Sequence, residues 1–430
     1  METIFAVSSG APPAAIAVLR LSGARAFDAA RALAGTLPEP RRAGLRALRD
    51  PASGELLDRA LVLLFPGPDS ASGEDLVELH LHGGRATVRA VEAALGAIPG
   101  LRPAEPGEFT RRALLNGRMD LSEAEGLGDL LMAETEAQRR MAVRSAEGAV
   151  RRQVEVWTHR LLSLAAQVEA ELDHSDEDDV ASSGGDSLAE LHAAAAALSR
   201  EIAEVTARPP VERLRDGLRV VLAGPPNAGK STLLNALVER EAAIVSPIAG
   251  TTRDRIEAPV ARDGTAYLLI DTAGLAEATA DPIEAIGIDR ARAALEEADI
   301  VLWLGDDPPP GHDALLWLHA RADLPGRELA EGRDVAVSAA TGVGLDLLWS
   351  RIDALAIGLL PPVDQLALNR RQRELAASAG DALARAASQH DLLLLAEELR
   401  SARRALDAIT GKAGVEAMLD ALFARFCIGK

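Results

Sequence analysis

The sequence predicts a multidomain chain of mixed class, α/β and all-α. It has an N-terminal α/β domain, a helical domain made from two separate segments, and an α/β unit inserted between them. Three observations carry this. Residues 1–118 alternate short apolar runs with turn signals. Two later stretches, 154–172 and 392–409, place apolar residues at helical spacing. Between "RPPVERLRDG" (208–217) and "PPVDQ" (361–365), strand and helix patterns alternate. At 430 residues and 48 % apolar, the chain has room for two or three cores.

"AAIAVLRLSG" (14–23) and "EDLVELHLHGG" (74–84) read as strands ending at glycines, and "GGRATVRAVEAALGAI" (83–98) as a helix. Together they define a small α/β domain at 1–118. From Leu121 the pattern turns helical, with Ser122 and Glu125 at the spacing of a capping box. Val154, Trp157, Leu161, Leu164, Val168 and Leu172 form one apolar stripe. "DHSDEDDVASSGGDS" (173–187) is acidic and rich in Ser and Gly. The glycine and closing glutamate of a calcium loop are misplaced there, so it reads as a solvated loop. Helix resumes over 188–205. From about 369 the chain is helical again, with Leu392, Leu395, Leu399, Ala402, Leu406 and Ile409 as its stripe. The helical segments 119–213 and 366–430 are expected to pack together, with 214–365 inserted between them.

The formal charge is −19. Neutralising nucleic-acid phosphates takes a basic face, so work on nucleic acid calls for a local arginine patch or a partner. Only three lysines stand among the 46 basic residues. The scarcity fits biased codon usage and draws attention to each lysine, since arginine does not replace a lysine that must act as a compact point charge. The single cysteine, Cys427, excludes a disulfide framework and fits a reducing, cytoplasmic location. No run of about 18 apolar residues offers a membrane span, and "METIFAVSSG" lacks the features of a signal peptide. "ARFCIGK" (424–430) gathers Cys427 and Lys430 within four residues. Cys427 fits either a chemical role or a small packing role. His80 and His82 alternate on a strand and share a face; with no cysteine nearby they read as strand residues rather than metal ligands.

"GPPNAGKST" (224–232) matches G-x-x-x-x-G-K-[ST] and sits between the strand "RVVLAG" and the helix "STLLNALV", the context the motif needs. Gly224 and Gly229 allow backbone that a Cβ would obstruct. The N–H groups of Asn227, Ala228, Gly229 and Thr232 then face phosphates at a helix N-terminus. Lys230 supplies a point charge to the β- and γ-phosphates, and the Ser231 hydroxyl is a Mg²⁺ ligand. "IDTAG" (270–274) follows the strand "AYLLI"; Asp271 approaches the metal shell, Thr272 and Ala273 follow, and the Gly274 N–H senses the γ-phosphate. Between these motifs, "AGTTRD" (249–254) makes 242–254 a switch loop in which Thr252 closes over Mg²⁺.

Guanine readers carry N-K-x-D after a strand; here the stretch is Ala320, Arg321, Ala322, Asp323. Asp323 can accept from the guanine N–H and amino groups, and Arg321 can stack over the base. Backbone N–H groups of Ser338, Ala339 and Ala340 in "VSAATG" can meet the guanine oxygen. Guanine is favoured over adenine. Leu275 and Ala276 occupy the place where many GTPases orient water with glutamine. Arg253, a monovalent cation near Asn227, or Glu284 are the remaining candidates for that step.

Beyond this site, the chain resembles the MnmE (TrmE) family of tRNA-modification GTPases, in the TrmE-Era-EngA-YihA-Septin-like superfamily. The resemblance lies in "AIAVLRLSG", "GEDLVELHLHGG", "EPGEFTRRALLNGRMDLSEAEGLGDLL", "GPPNAGKST", "IAGTTRD", "DTAGL", "IEAIGIDRA" and "RFCIGK". It implies a tetrahydrofolate-binding and dimerisation domain at 1–118, helical parts at 119–213 and 366–430, and a Ras-like P-loop domain at 214–365. It implies a homodimer, with the flavin-dependent MnmG subunit completing a heterotetramer that meets tRNA mainly through MnmG, and no membrane. The product would be a carboxymethylaminomethyl group on C5 of the wobble uridine, position 34. The carbon would come from 5-formyl- or methylene-tetrahydrofolate and the nitrogen from glycine or ammonium. GTP hydrolysis would be potassium-stimulated.

By position, the resemblance assigns potassium to Asn227, Ser246, Ile248 and Thr251, and Mg²⁺ to Ser231 and Thr252. Glu284 becomes the catalytic glutamate, with one extra residue between it and Asp271. Folate contacts fall on Arg20, Glu78, Arg118 and Lys430, Arg118 standing where lysine is common. Ala320 and Arg321 depart from the family's base-reading pair. Two other readings are a ribosome-assembly GTPase, which usually carries a basic RNA-binding module, and a non-hydrolysing nucleotide-gated scaffold.

Overall fold

In a computed structural model the described residues are 2–175, 184–240, 242–243, 257–272, 293–325, 327, 331–362, 364–412, 423, 426 and 429, without the side chains of 174, 175, 184–186, 242 and 243. They divide into two compact units, 1–128 with 407–430, and 129–406.

The first unit is built on β1 (Thr3–Val7), β2 (Ile16–Ser22), α1 (Ala26–Ala34), β3 (Gly44–Arg49), β4 (Leu56–Phe65), β5 (Leu76–His82), α2 (Arg85–Gly96), β6 (Leu101–Pro103) and α3 (Glu108–Leu115). The sheet order is β3-β4-β5-β2-β1-β6. All pairs are antiparallel except β1 with β6. Alternation sends Ala17, Leu19, Leu21, Val77, Leu79 and Leu81 to one face, where α1 and α2 cover them. Arg20 and Glu78 therefore belong to the other face, where Ile4 and Ala6 pack with Phe109 of α3.

α4 (Leu121–Met132) starts two residues earlier than the Ser122–Glu125 spacing implied. The reciprocal cap is made by Asp120 and Glu123: the Glu123 N–H donates to Asp120 Oδ1 at 2.9 Å, and the Asp120 N–H to Glu123 Oε2 at 2.8 Å. Aspartate is as good an N-cap as serine, and Ser122 instead donates to Asp120 Oδ1. Leu121 and Ala124 bury against Phe423 and Phe426. That cluster is why the C-terminal segment falls in this unit.

The second unit continues with α5 (Glu136–Ala146), α6 (Ala149–Ser175), α7 (Gly184–Thr206) and α8 (Val211–Arg215). Next come β7 (Leu218–Ala223), α9 (Lys230–Arg240), β8 (Ala242–Ala243), β9 (Glu257–Arg262), β10 (Thr265–Asp271), β11 (Ile300–Trp303), β12 (Leu315–Ala320) and β13 (Val335–Val337). α10 (Leu345–Leu359), α11 (Arg370–Ala386) and α12 (Leu392–Thr410) follow, α12 passing out of the unit after Leu406. The expected stripe is buried from Val154 to Val168, and Leu172 is half-buried. The two helical segments do pack together: Ser199 of α7 donates to the Gly380 carbonyl of α11 at 2.8 Å, and His192 meets the Gln389 carbonyl at 2.7 Å.

The seven-stranded sheet runs β13-β12-β11-β7-β10-β9-β8. The strands from β13 to β10 are parallel. From Val220 to Ala223, β7 is buried on both faces and reads as a continuous apolar run. Ala242 and Ala243, expected in a switch loop, pair as the edge strand β8 with Ala261 and Val260.

Candidate functional site

In a parallel sheet the loops at the carboxyl ends of the strands form the binding crevice. β7 ends at Ala223, and the chain turns through the glycine-rich loop into α9. Gly224 has φ +147°, and a Cβ there would sit 3.1 Å from the Gly305 nitrogen, so a side chain at this position is strained. Lys230 is buried, and its Nζ donates to the carbonyls of Gly224 at 2.9 Å and Pro225 at 3.0 Å. Its charge thus sits inside the curve of the loop.

The register of β10 on β7 sets Asp271 opposite Leu222. This brings its carboxylate to the start of α9, where the Ser231 hydroxyl donates to Asp271 Oδ2. Thr272 is also buried and donates to the Leu222 carbonyl at 2.8 Å, tying the strand end down. A hydroxyl beside a carboxylate is a hard-oxygen donor set that suits Mg²⁺, which usually takes one or two protein oxygens plus phosphates. Among the described residues no cluster of three His, Cys, Asp or Glu could hold a metal.

Beside the loop lies a cavity of about 310 Å³, lined by Ala228, Gly229, Thr232, Arg321, Asp323, Ala339 and Ala340, among others. Ser338 is fully buried. Its hydrogen bond to Asp323, the largest influence there, holds that carboxyl below its usual range. Arg321 adopts φ +56° and donates to the Asn227 carbonyl. It joins the base-side loop to the phosphate loop. The cavity therefore gathers residues from stretches spread between positions 228 and 340 of the sequence.

Several expected site residues lie outside the described ones: Ser246, Ile248, Thr251, Thr252, Arg253, Ala273, Gly274, Leu275, Ala276, Glu284, Cys427 and Lys430.

In the first unit, Arg20 and Glu78 face each other across β2 and β5, with Arg20 Nε donating to Glu78 Oε1 at 2.8 Å. His80 meets the other oxygen of Glu78 at 3.2 Å. His82 turns to Asp58 at 2.7 Å, so the two histidines do not converge. Arg118 pairs with Asp69 at 3.5 Å. The tail reaches this sheet: Ser8 Oγ donates to the Gly429 carbonyl at 2.6 Å. Gly429 has φ +95°, and a Cβ would lie 2.0 Å from the Val7 carbonyl oxygen. Val7 neighbours Ala6, the register partner of Arg20.

Sequence reading missed a buried network behind this sheet. Arg112 contacts Glu74 at 2.9 Å and Glu108 at 2.9 Å, and Arg102 contacts Glu108 at 2.7 Å. Burial pushes the Glu108 carboxyl up, but hydrogen bonds from Arg102, the Glu105 N–H and Arg112 outweigh it and hold it at about 2. The available signal was the i, i+4 spacing of Glu108 and Arg112.

Two family models match the chain: "MnmE helical domain" over 121–427 and "GTP-binding protein TrmE N-terminus" over 3–118. Among curated relatives, the tRNA modification GTPase MnmE of Rhizorhabdus wittichii is 59 % identical over 100 % of this chain and 97 % of its own. Its namesake in Erythrobacter litoralis is 57 % identical over 100 % of both chains. A solved G domain of the T. maritima FeoB iron transporter is 25 % identical over 32 % of this chain and 98 % of its own, with a TM-score of 0.24. The two family models and the full-length identities make this chain a member of the MnmE (TrmE) family.

Proposed function

We propose that this chain hydrolyses GTP and acts, with a flavin-dependent MnmG subunit, in placing a carboxymethylaminomethyl group on the wobble uridine of tRNA. Full-length family membership is the observation that carries the reading. The P-loop with its adjoining cavity supplies the chemistry. The N–H groups of Asn227 to Thr232 and the Lys230 ammonium receive the phosphates, the ammonium leaving the Gly224 and Pro225 carbonyls to do so. Asp323, already oriented by Ser338, accepts from guanine, while Ala339 and Ala340 line the far wall.

Ser231 and Thr252 would hold Mg²⁺, which neutralises phosphate charge when bound with the nucleotide. Asn227, Ser246, Ile248 and Thr251 would hold K⁺, which supplies the charge an arginine finger gives elsewhere. Glu284 would orient the attacking water. In the N-terminal sheet, Arg20, Glu78, Arg118 and Lys430 would hold a tetrahydrofolate derivative. The chain would work as a homodimer in the cytoplasm.

Two measurements test this. GTP turnover should be faster in KCl than in NaCl and be lost in Glu284→Ala. Mass spectrometry of tRNA nucleosides from a deletion strain should show unmodified wobble uridines; a normal pattern would overturn the reading.

A further inference from the structure

α5 is a locally basic element in an acidic chain. The whole chain carries 65 acidic residues against 46 basic ones. α5 carries Glu136 against Arg139, Arg140 and Arg144. Its inward side is fixed. Met141 packs with Leu214 and Ala367, and Gln138 donates to the carbonyls of Leu214 at 3.1 Å and Arg215 at 2.9 Å. The arginines are left on the outward side. Arg139, Arg140, Val143 and Arg144 line an open cleft of about 470 Å³ that Asp364 completes.

Arg139 and Arg140 are 53 % and 62 % exposed and both pair with Glu136, at 2.7 and 2.8 Å. Exposed pairs of this kind are worth at most about 1 kcal/mol, so an incoming anion can take over the guanidiniums. Hydrogen bonds from the two arginines hold the exposed Glu136 carboxyl at about 2.

A polyanionic strand and an acidic protein are the two possible occupants. Protein interfaces are anchored by large apolar or aromatic side chains, and among the described residues that line the cleft Val143 is the one apolar residue. Positions i and i+4, here Arg140 and Arg144, set their Cβ atoms about 6 Å apart, and a guanidinium presents a planar fork that suits phosphate oxygens. We propose that this cleft takes the phosphate backbone of RNA and gives the chain its own contact with tRNA, opposed by the Asp364 carboxylate. The identity of the RNA rests on the tRNA-modification reading above.

The test is the binding of fluorescein-labelled unfractionated tRNA to the full chain, followed by anisotropy over a KCl series. The variants are R139Q/R140Q/R144Q and D364N. The triple variant should weaken binding about tenfold or more at low salt and lower the slope of log K against log salt by about 2 to 3. D364N should tighten binding about twofold to threefold. GTP turnover should not change in either. D364N, an exposed loop substitution, keeps the test decisive where the triple variant misfolds. Unchanged affinity and slope in both variants overturn the proposal. So does displacement of the tRNA by polyglutamate of matched charge as readily as by unlabelled tRNA, which would mark an acidic-protein surface. Normal wobble uridines in the deletion strain would instead sink the tRNA-modification reading, and the salt slope would still decide the cleft.

Discussion

The two candidate sites are built by opposite means. At the P-loop, nine consecutive residues carry the cradle, the cation and the Ser231 hydroxyl. The neighbouring parallel strand adds Asp271. In the N-terminal sheet, Arg20 and Glu78 are 58 residues apart and meet only because β2 and β5 pair in one register. The first site depends on local backbone conformation. The second depends on strand alignment, where a slip of one residue would turn every side chain to the opposite face.

If the P-loop is a local device, one atom group should disable it. Lys230→Ala should lower kcat/KM for GTP by about a hundredfold or more, the scale of removing a preorganised charge from a developing anion. Lys230→Arg should not rescue it, because the pocket inside the loop curve fits a compact ammonium. Full rescue by arginine would show that any cation near the loop suffices.

The sheet site should fail through alignment instead. Gly429→Ala places a Cβ 2.0 Å from the Val7 carbonyl oxygen and should lift the tail off Ser8. Wobble-uridine modification should then fall about tenfold, while GTP turnover stays within about twofold. Modification at the normal level in this variant, or after deletion of the last four residues, would remove the tail from the site.

This contrast explains what was legible in the sequence. The G-x-x-x-x-G-K-[ST] spacing fixes its own geometry, so Gly224, Lys230 and Ser231 were readable one by one. The helical stripes were readable because period 3.6 survives without knowing the partner. The capping box was misplaced because Asp120 and Ser122 are both good N-caps, and only the hydrogen bonds choose between them. Of the Arg102–Glu108–Arg112 network only the i, i+4 pair was readable, since Glu74 joins it from a distant loop. The bond from Arg321 to the Asn227 carbonyl was hidden for the same reason.

Asp323 sharpens the comparison, because it belongs to the P-loop unit yet depends on a distant residue, Ser338, for its orientation. Asp323→Asn should weaken guanine-nucleotide binding about tenfold, near 1.4 kcal/mol, the low end for a hydrogen bond to a charged group. Ser338→Ala should give a smaller loss in the same direction. Titration with a fluorescent GDP analogue reads both. Equal affinities for guanine and adenine nucleotides in the parent chain would mean that the cavity does not select the base.

The most local effect expected is on the frame of the N-terminal sheet. Glu108 is held at about 2 in the folded chain, below an ordinary value of 4.5. A group whose folded pKa is depressed stabilises the fold above its unfolded pKa, and the stabilisation is lost as pH falls toward the folded one. It should be complete at pH 7, reduced by about 1 kcal/mol at pH 4 and by about 2 kcal/mol at pH 3. Hydrogen exchange of the amides in α3 reports this locally, where whole-chain unfolding would mix two units. Glu108→Gln should flatten the acid limb and lower protection at neutral pH, because Arg112 then keeps only Glu74 as a carboxylate partner. An acid limb unchanged in that variant would assign the loss to other carboxylates. The buried network would then be packing for the sheet rather than the electrostatic clamp on α3.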